Sequence, residues 1–215
     1  MFSVLGAGAV SAVVGAILYA NLPTRLTIGA AIPTFEYLAA TNLKLIEPGK
    51  GDAAIFEGKN VLAGDIFKSN PTLVMAVRRP GCSFCRKEAS QICSMSKKIE
   101  EKGIKVIGVV HETLGVEDFR PFLGCSDALY FDPEKRFFGP QQRWLPLWMG
   151  FLRVSTYING YKTKKAGFVG NLEGEGRLLG GIYLINKDKI LFSHLEKEWG
   201  DEPENEQLLD AFNQI

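Results

Sequence analysis

Read from its N-terminus, the chain opens with one long apolar run and then breaks into short hydrophobic stretches separated by polar turns. Phe2 to Leu22 holds about 21 apolar or small residues, residues 1–24 carry no charged side chain, and Arg25 is the first. At about 1.5 Å of rise per residue, such a run can cross a hydrocarbon core about 30 Å thick. Three readings stay open: a membrane anchor, a helix packed through the small-residue stripe Gly8, Ala12 and Ala16, and a cleaved signal, which the lack of a basic n-region disfavours. If the run spans, its basic side chains all follow it, and the positive-inside rule leaves the body of the protein in the cytosol.

Beyond this leader, residues 25–51 mix polar and apolar positions with Pro33, Pro48 and Gly49 and read as a helix-and-turn connector, so that the main domain is expected over 52–215. Ala53 to Phe56 suggests a short strand and Leu62 to Phe67 a short helix. Thr72 to Arg78 and Lys105 to Val110 are continuous β-prone runs of the kind found in buried strands. Between them, Ser83 to Lys102 carries Phe84, Ala89, Ile92, Met95 and Ile99 mostly three or four apart, a helical period, with Gly103 as its stop. Val116 to Phe122 predicts another short helix and Ala128 to Phe131 a strand. Leu179 to Ile185 and Ile190 to Leu195, split by Asn186-Lys187-Asp188-Lys189, predict a hairpin, and Asn205 to Ile215 a closing helix. The alternation of strand and helix argues for an α/β layer with a parallel centre.

Phe137 to Lys165 departs from this rhythm. It is rich in Trp144, Leu145, Leu147, Trp148, Met149, Phe151 and Leu152, and no acid occurs between Glu134 and Glu173. This apolar and basic helical insertion before the last hairpin reads either as an amphipathic cover on the sheet or as a contact with membrane or partner.

Composition narrows the function classes. The chain has 215 residues, 46% of them hydrophobic, and 25 Lys+Arg against 24 Asp+Glu, a formal charge of +1. Such a balance supplies no field for gripping a nucleic acid. Gly6-Ala7-Gly8 imitates a dinucleotide loop, but Leu26 to Ile32 offers no acidic residue for a ribose. Four cysteines are too few for a disulfide scaffold in a chain long enough to bury a core. They point to chemistry or metal instead.

That chemistry concentrates at Cys82-Ser83-Phe84-Cys85, which follows a strand and opens a helix. Unsatisfied N–H groups and the positive end of the macrodipole favour a thiolate at Cys82, and Arg78, Arg79, Arg86 and Lys87 add local positive charge. Cys82 is the expected attacking sulfur. Cys85, one turn deeper, is the expected resolving sulfur that breaks the mixed disulfide and releases the substrate. The alternative is a packed or zinc-bound pair. A zinc site would draw two further ligands from Cys93, Cys125, His111 and His194, yet Cys93 lies about 12 Å along the same helix from Cys85, too far for one tetrahedral site. No metal and no cofactor is therefore expected. Cys93 reads as a core cysteine and Cys125 as a half-buried bystander or auxiliary thiol. His111 and His194 read as ordinary polar residues, since neither has a motif-defined partner.

Three segments carry a resemblance over roughly residues 35–205. MAVRRPGCSFCRKEAS (Met75 to Ser90), GPQQRWLPLWMGFLR (Gly139 to Arg153) and GFVGNLEGEGRLLGGIYLI (Gly167 to Ile185) are similar to the peroxiredoxin-like 2 family. The resemblance implies a thioredoxin-like fold, an antioxidant or redox-regulatory role, and Cys82 and Cys85 as the redox-active pair. It further implies protein disulfides or peroxides as oxidants, an external thiol reductant such as the thioredoxin or glutathione system, and cytoplasmic residence with secretion also found in the family. A related branch reduces prostaglandin endoperoxides with the same dithiol, and a non-enzymatic thioredoxin-like binding module is the remaining alternative. Two departures stand out. Peroxiredoxins hold peroxide with a Pro-x-x-x-Thr-x-x-Cys element, whereas Met75 and Arg79 occupy the Pro and Thr places here, so weak or no peroxidase activity of that type is expected. The cis-proline that thioredoxins place opposite the CxxC is also missing, as no proline lies between Pro146 and Pro203. Gly180-Gly181 would then let a partner backbone approach closely.

Overall fold

The structure, a computed structural model, describes residues 2–29, 31–50, 58–126 and 128–215. The strand expected over Ala53 to Phe56 lies outside the described residues. Three helices open the chain, α1 (Phe2–Ala20), α2 (Thr24–Thr27) and α3 (Phe35–Ala39). They are followed by β1 (Asn42–Ile46), β2 (Asn60–Leu62), α4 (Ala63–Phe67) and β3 (Thr72–Val77). Next come α5 (Ser83–Cys93), α6 (Ser96–Glu101), β4 (Lys105–Val110), α7 (Val116–Phe119) and β5 (Ala128–Phe131). The chain closes with α8 (Leu147–Leu152), α9 (Val154–Lys165), the hairpin β6 (Gly181–Asn186) and β7 (Lys189–Leu195), and α10 (Asn205–Phe212).

The strands form a seven-stranded sheet in the order β2-β1-β5-β4-β3-β6-β7. β3, β4 and β5 run parallel at its centre, as the α/β alternation predicts, while β1 and β6 flank them antiparallel. Segment 25–51, expected as a connector, thus supplies both α3 and a sheet strand, β1. β3 is buried along its whole length because both faces are covered. With side chains alternating across the sheet, Leu73, Met75 and Val77 meet Cys85, Ala89 and Ile92 of α5 and Leu208 and Phe212 of α10. Val74 and Ala76 face the other way, onto Leu38, Phe67, Phe137 and Phe138.

The helix expected over Ser83 to Lys102 is two helices. Ser94 and Ser96 flank the break, and Ser94 Oγ donates to the Gln91 carbonyl at 2.6 Å, a side-chain bond that competes with helical continuation. The same end of α5 is tied down covalently, since Cys93 and Cys125 form a disulfide. This corrects the reading of Cys93 as a free core cysteine and of Cys125 as a bystander. The loop after α7 brings the two together, a long-range pairing across 32 residues that local pattern does not encode.

The insertion does not form one amphipathic cover on the sheet. It divides into α8 and α9, which turn toward α1 and α5, and it leaves Leu147, Trp148, Phe151, Tyr157, Ile158 and Tyr161 exposed. α1 docks through its C-terminal end. Ala20 is buried with Leu145, Met149 and Leu179, Tyr19 stacks on Trp148 at 6.2 Å, and Asn21 Nδ2 donates to the Leu152 carbonyl at 2.9 Å. A Cβ added at Gly8, of the expected packing stripe, would meet no neighbouring atom within 4 Å. Among the described residues no helix is long and apolar enough to cross a membrane.

Candidate functional site

β3 delivers the chain to the sheet's C-terminal edge, and the Arg78-to-Gly81 turn sets Cys82 at the N-cap of α5, with its side chain free of any capping bond. Cys85 follows in the first turn. Both are unpaired thiols and nearly out of solvent, 4% and 2% exposed. Hydrogen bonding from Cys85, together with the field of Arg78, holds Cys82 well below the usual thiol range in spite of its burial. Its bond to Cys82 and its own burial push the Cys85 thiol well up. The two cysteines thus differ in kind, one disposed to be a thiolate and the other to keep its proton until it is needed.

Arg78 organises this asymmetry. Its Nη2 donates to Cys82 Sγ at 3.2 Å, its Nε to Glu196 Oε1 at 3.1 Å and its Nη1 to the Gly176 carbonyl at 3.1 Å. Glu196, just past β7, is itself buried, and its other oxygen accepts the Gly180 N–H at 2.7 Å. A Cβ at Gly180 would overlap the Ala76 carbonyl oxygen, so the chain passes close against β3 at the place where proline was noted as missing. One buried carboxylate therefore fixes both the guanidinium at the sulfur and the backbone opposite it. Burial and the neighbouring carboxylates of Glu196 and Glu202 push the Glu88 carboxyl, one turn past Cys85, well above the ordinary carboxylate range.

Of the four cations expected to favour the thiolate, Arg78 is the one bonded to the sulfur. Arg79 adds to the field that lowers the Cys82 pKa, and together with Arg86 it holds a strap. Arg79 donates to the Asn171 and Glu173 carbonyls at 2.7 and 3.3 Å, and Arg86 donates to the Val169 carbonyl at 3.0 Å. Asn171 N–H donates to the Gly81 carbonyl at 2.8 Å, which lays this segment across the CxxC turn. Gly170 sits so close to Ser83 and Gly81 that any side chain would collide with their backbone. Lys87 pairs with Glu202.

His111 closes β4 and donates from Nε2 to the Arg78 carbonyl at 2.7 Å, so it braces the backbone of the site. Burial pushes its pKa down, consistent with a neutral imidazole. His194, on β7, pairs with Asp201 at 3.1 Å. Glu196, Glu88 and the Gly170–Asn171 strap were not singled out from the sequence. Glu196 follows a β-prone run in an acidic stretch with Glu198, Asp201 and Glu202, a pattern that a surface turn carries equally well.

Residues 91–198 match the family of AhpC/TSA antioxidant enzymes, a match that begins just past the CxxC turn. Peroxiredoxin-like 2A of Xenopus tropicalis is 40% identical over 212 residues, 97% of this chain and 88% of that one. Its counterparts in Mus musculus and Danio rerio are 36% and 35% identical over 215 residues, 98% of this chain and 93% and 96% of theirs. Among solved structures, peroxiredoxin Q of Xanthomonas campestris superimposes with a TM-score of 0.53 at 9% identity, covering 86% of this chain and 97% of that one. Reduced Prx3 of Vibrio vulnificus, in complex with hydrogen peroxide, gives 0.52 at 12% identity, covering 84% and 99%. Both likenesses concern the fold, which is thioredoxin-like. The chain belongs to the peroxiredoxin-like 2 family, within the AhpC/TSA antioxidant enzymes.

Proposed function

We propose that the protein is a thiol–disulfide oxidoreductase in which Cys82 and Cys85 cycle between dithiol and disulfide. The observation that carries this reading is the 3.2 Å contact from Arg78 Nη2 to Cys82 Sγ at the start of α5, with Cys85 one turn inward. The Cys82 thiolate attacks one sulfur of a substrate disulfide, forms a mixed disulfide and releases the other sulfur as a thiolate that takes up a proton. Cys85 then loses its proton and attacks Cys82 Sγ. The Cys82–Cys85 bond forms, the second substrate thiol leaves, and the substrate has gained two electrons and two protons. An external dithiol restores the reduced pair.

A disulfide is favoured over a peroxide as the oxidant. The place where a threonine hydroxyl would hold a peroxide is taken by Arg79, whose guanidinium is committed to the Asn171 and Glu173 carbonyls. A substrate must also displace the strap at Gly170 and Asn171 to reach Cys82. Selectivity would thus lie in that segment, where an extended peptide could replace Asn171 at the Gly81 carbonyl.

Thiol trapping across glutathione buffers, read by mass spectrometry, tests the proposal. A reversible Cys82–Cys85 disulfide is expected between about −270 and −180 mV, the span of dithiol exchange proteins. Cys82→Ser should abolish turnover, and Cys85→Ser should accumulate mixed disulfides. Turnover retained by Cys82→Ser would refute it.

A further inference from the structure

A cleft of about 660 Å³ opens between the turn that links α1 to α2 and the edge strand β7, a volume within the range of small-molecule sites. Leu22, Ile32 and Leu195 give it an apolar wall, and Arg25, Arg143, Arg153 and Lys197 also line it. Against these four cations stands the carboxylate of Glu198, which is taken by Arg153 at 2.7 Å. His194, also in the lining, is taken by Asp201. Among the described residues Arg25, Arg143 and Lys197 form no ion pair.

Arg143 is the unusual member. It is 1% exposed, yet its guanidinium donates to backbone carbonyls alone, those of Glu196, Leu179 and Gly180. The Glu196 and Asp201 carboxylates act on it through space without pairing with it, and burial outweighs them, so its charge is only partly offset and costly to keep inside. The Nε atoms of Arg143 and Arg153 are in addition buried without a partner. The cleft is therefore cationic inside, while at its rim Leu22, Leu26 and Ile32 are exposed and continue the exposed Leu18 and Tyr19 of α1.

We propose that this cleft binds the acidic head of an amphipathic anion, a carboxylate or phosphate on an alkyl chain. The head lies among Arg25, Arg143 and Lys197, and the chain lies on Leu22 and Ile32. The site is separate from the thiols. Glu196 stands between them, its carbonyl toward Arg143 and its carboxylate toward Arg78. The anion can arrive as a free amphiphile or as a lipid within a bilayer.

The test titrates the full chain by calorimetry with decanoate, decyl phosphate and decanol, each below its micelle concentration, and repeats the series on the double variant Arg25→Glu, Lys197→Glu. Both residues are exposed, so the fold should persist, and a melting curve checks it. Decanoate and decyl phosphate should saturate a single site, with decanol at least tenfold weaker. The variant should lose at least tenfold for both anions and keep its affinity for decanol. Equal affinity for decanol in the unaltered chain, no saturable binding of either anion, or unchanged anion affinity in a folded variant would each overturn the proposal. Flotation with phosphatidylcholine vesicles, with and without phosphatidylserine, separates the sources. Serine-lipid binding lost in the variant assigns the head to a bilayer lipid, and decanoate binding without flotation assigns it to a free amphiphile.

Discussion

Beside Cys82, two ionisable groups, Arg78 and Glu196, lie almost wholly out of water, whereas across α1 and α8 Leu18, Trp148 and Phe151 stand 65%, 47% and 59% exposed. The two regions invert the usual distribution of polar and apolar surface, and each inversion has its own physical consequence. In the thiol site the charges are affordable because they satisfy one another: Arg78 spans the sulfur and the Glu196 carboxylate, and Glu196 takes up the Gly180 N–H. Such a network is rigid, and breaking it exposes an unpaired charge to a low-dielectric interior. In the helical layer Leu18, Trp148 and Phe151 bury little of their surface, so each contributes little to folding. Beside Cys82 the buried charges thus offset one another, while the apolar surface of the helical layer stays open to solvent.

The contrast can be tested by substitution. Glu196→Ala should be the most damaging change to stability, about 3–5 kcal/mol, because it strands the Arg78 guanidinium inside the protein. Chemical unfolding measures this, and a loss below about 1 kcal/mol would mean that water already reaches Arg78. The helix that bears the thiols is also fastened at its far end. Replacing Cys93 and Cys125 by serine should cost about 3–4 kcal/mol on loop-entropy grounds for the 32-residue separation. Denaturation with and without reductant provides the comparison, and only the unaltered chain should respond to reductant through this bond.

Glu88 gives a pH signature. Its pKa is raised in the folded state, so its contribution to stability is present below the ordinary carboxylate pKa and is lost as pH rises through the folded value. Glu88→Gln should therefore raise the melting temperature more at pH 7.5 than at pH 5, and an equal shift at both would refute the assignment. Cys82 has the opposite sign. Its depressed pKa stabilises the fold above the unfolded thiol value of about 8.5 and ceases to do so as pH falls through the folded value. The smallest effect belongs to the helical layer. Trp148→Ala should cost about 1 kcal/mol or less, since the ring is half exposed and its stacking on Tyr19 is its one aromatic contact among the described residues. A larger loss would show that α1 and α8 form part of the core.

Much of the fold was legible because it rests on local periodicity. The run Thr72 to Val77 is apolar at every position but its first, and a strand covered on both faces has that pattern. The Pro80-Gly81 break and the helical period that follows it put Cys82 at a helix start, and a polar four-residue interruption marks the hairpin. The misreadings fall where distant segments meet. A continuous helical period ran through Ser94, and nothing nearby announced that Cys93 would bond to Cys125. β1 is not legible locally, because its pairing with β2 and β5 is what makes it a strand.

The sequence by itself determined the α/β alternation, the dithiol at the head of a helix and the uncharged leader, because each is written within a few turns of chain. The tertiary structure decided which charge meets the sulfur. Four cations stood near Cys82 in sequence, and Arg78 was chosen by Glu196, which lies 118 residues away, and by a strap that drew Arg79 and Arg86 elsewhere. Charges act through space rather than along the chain, and inside a protein a guanidinium settles where a buried carboxylate can offset it.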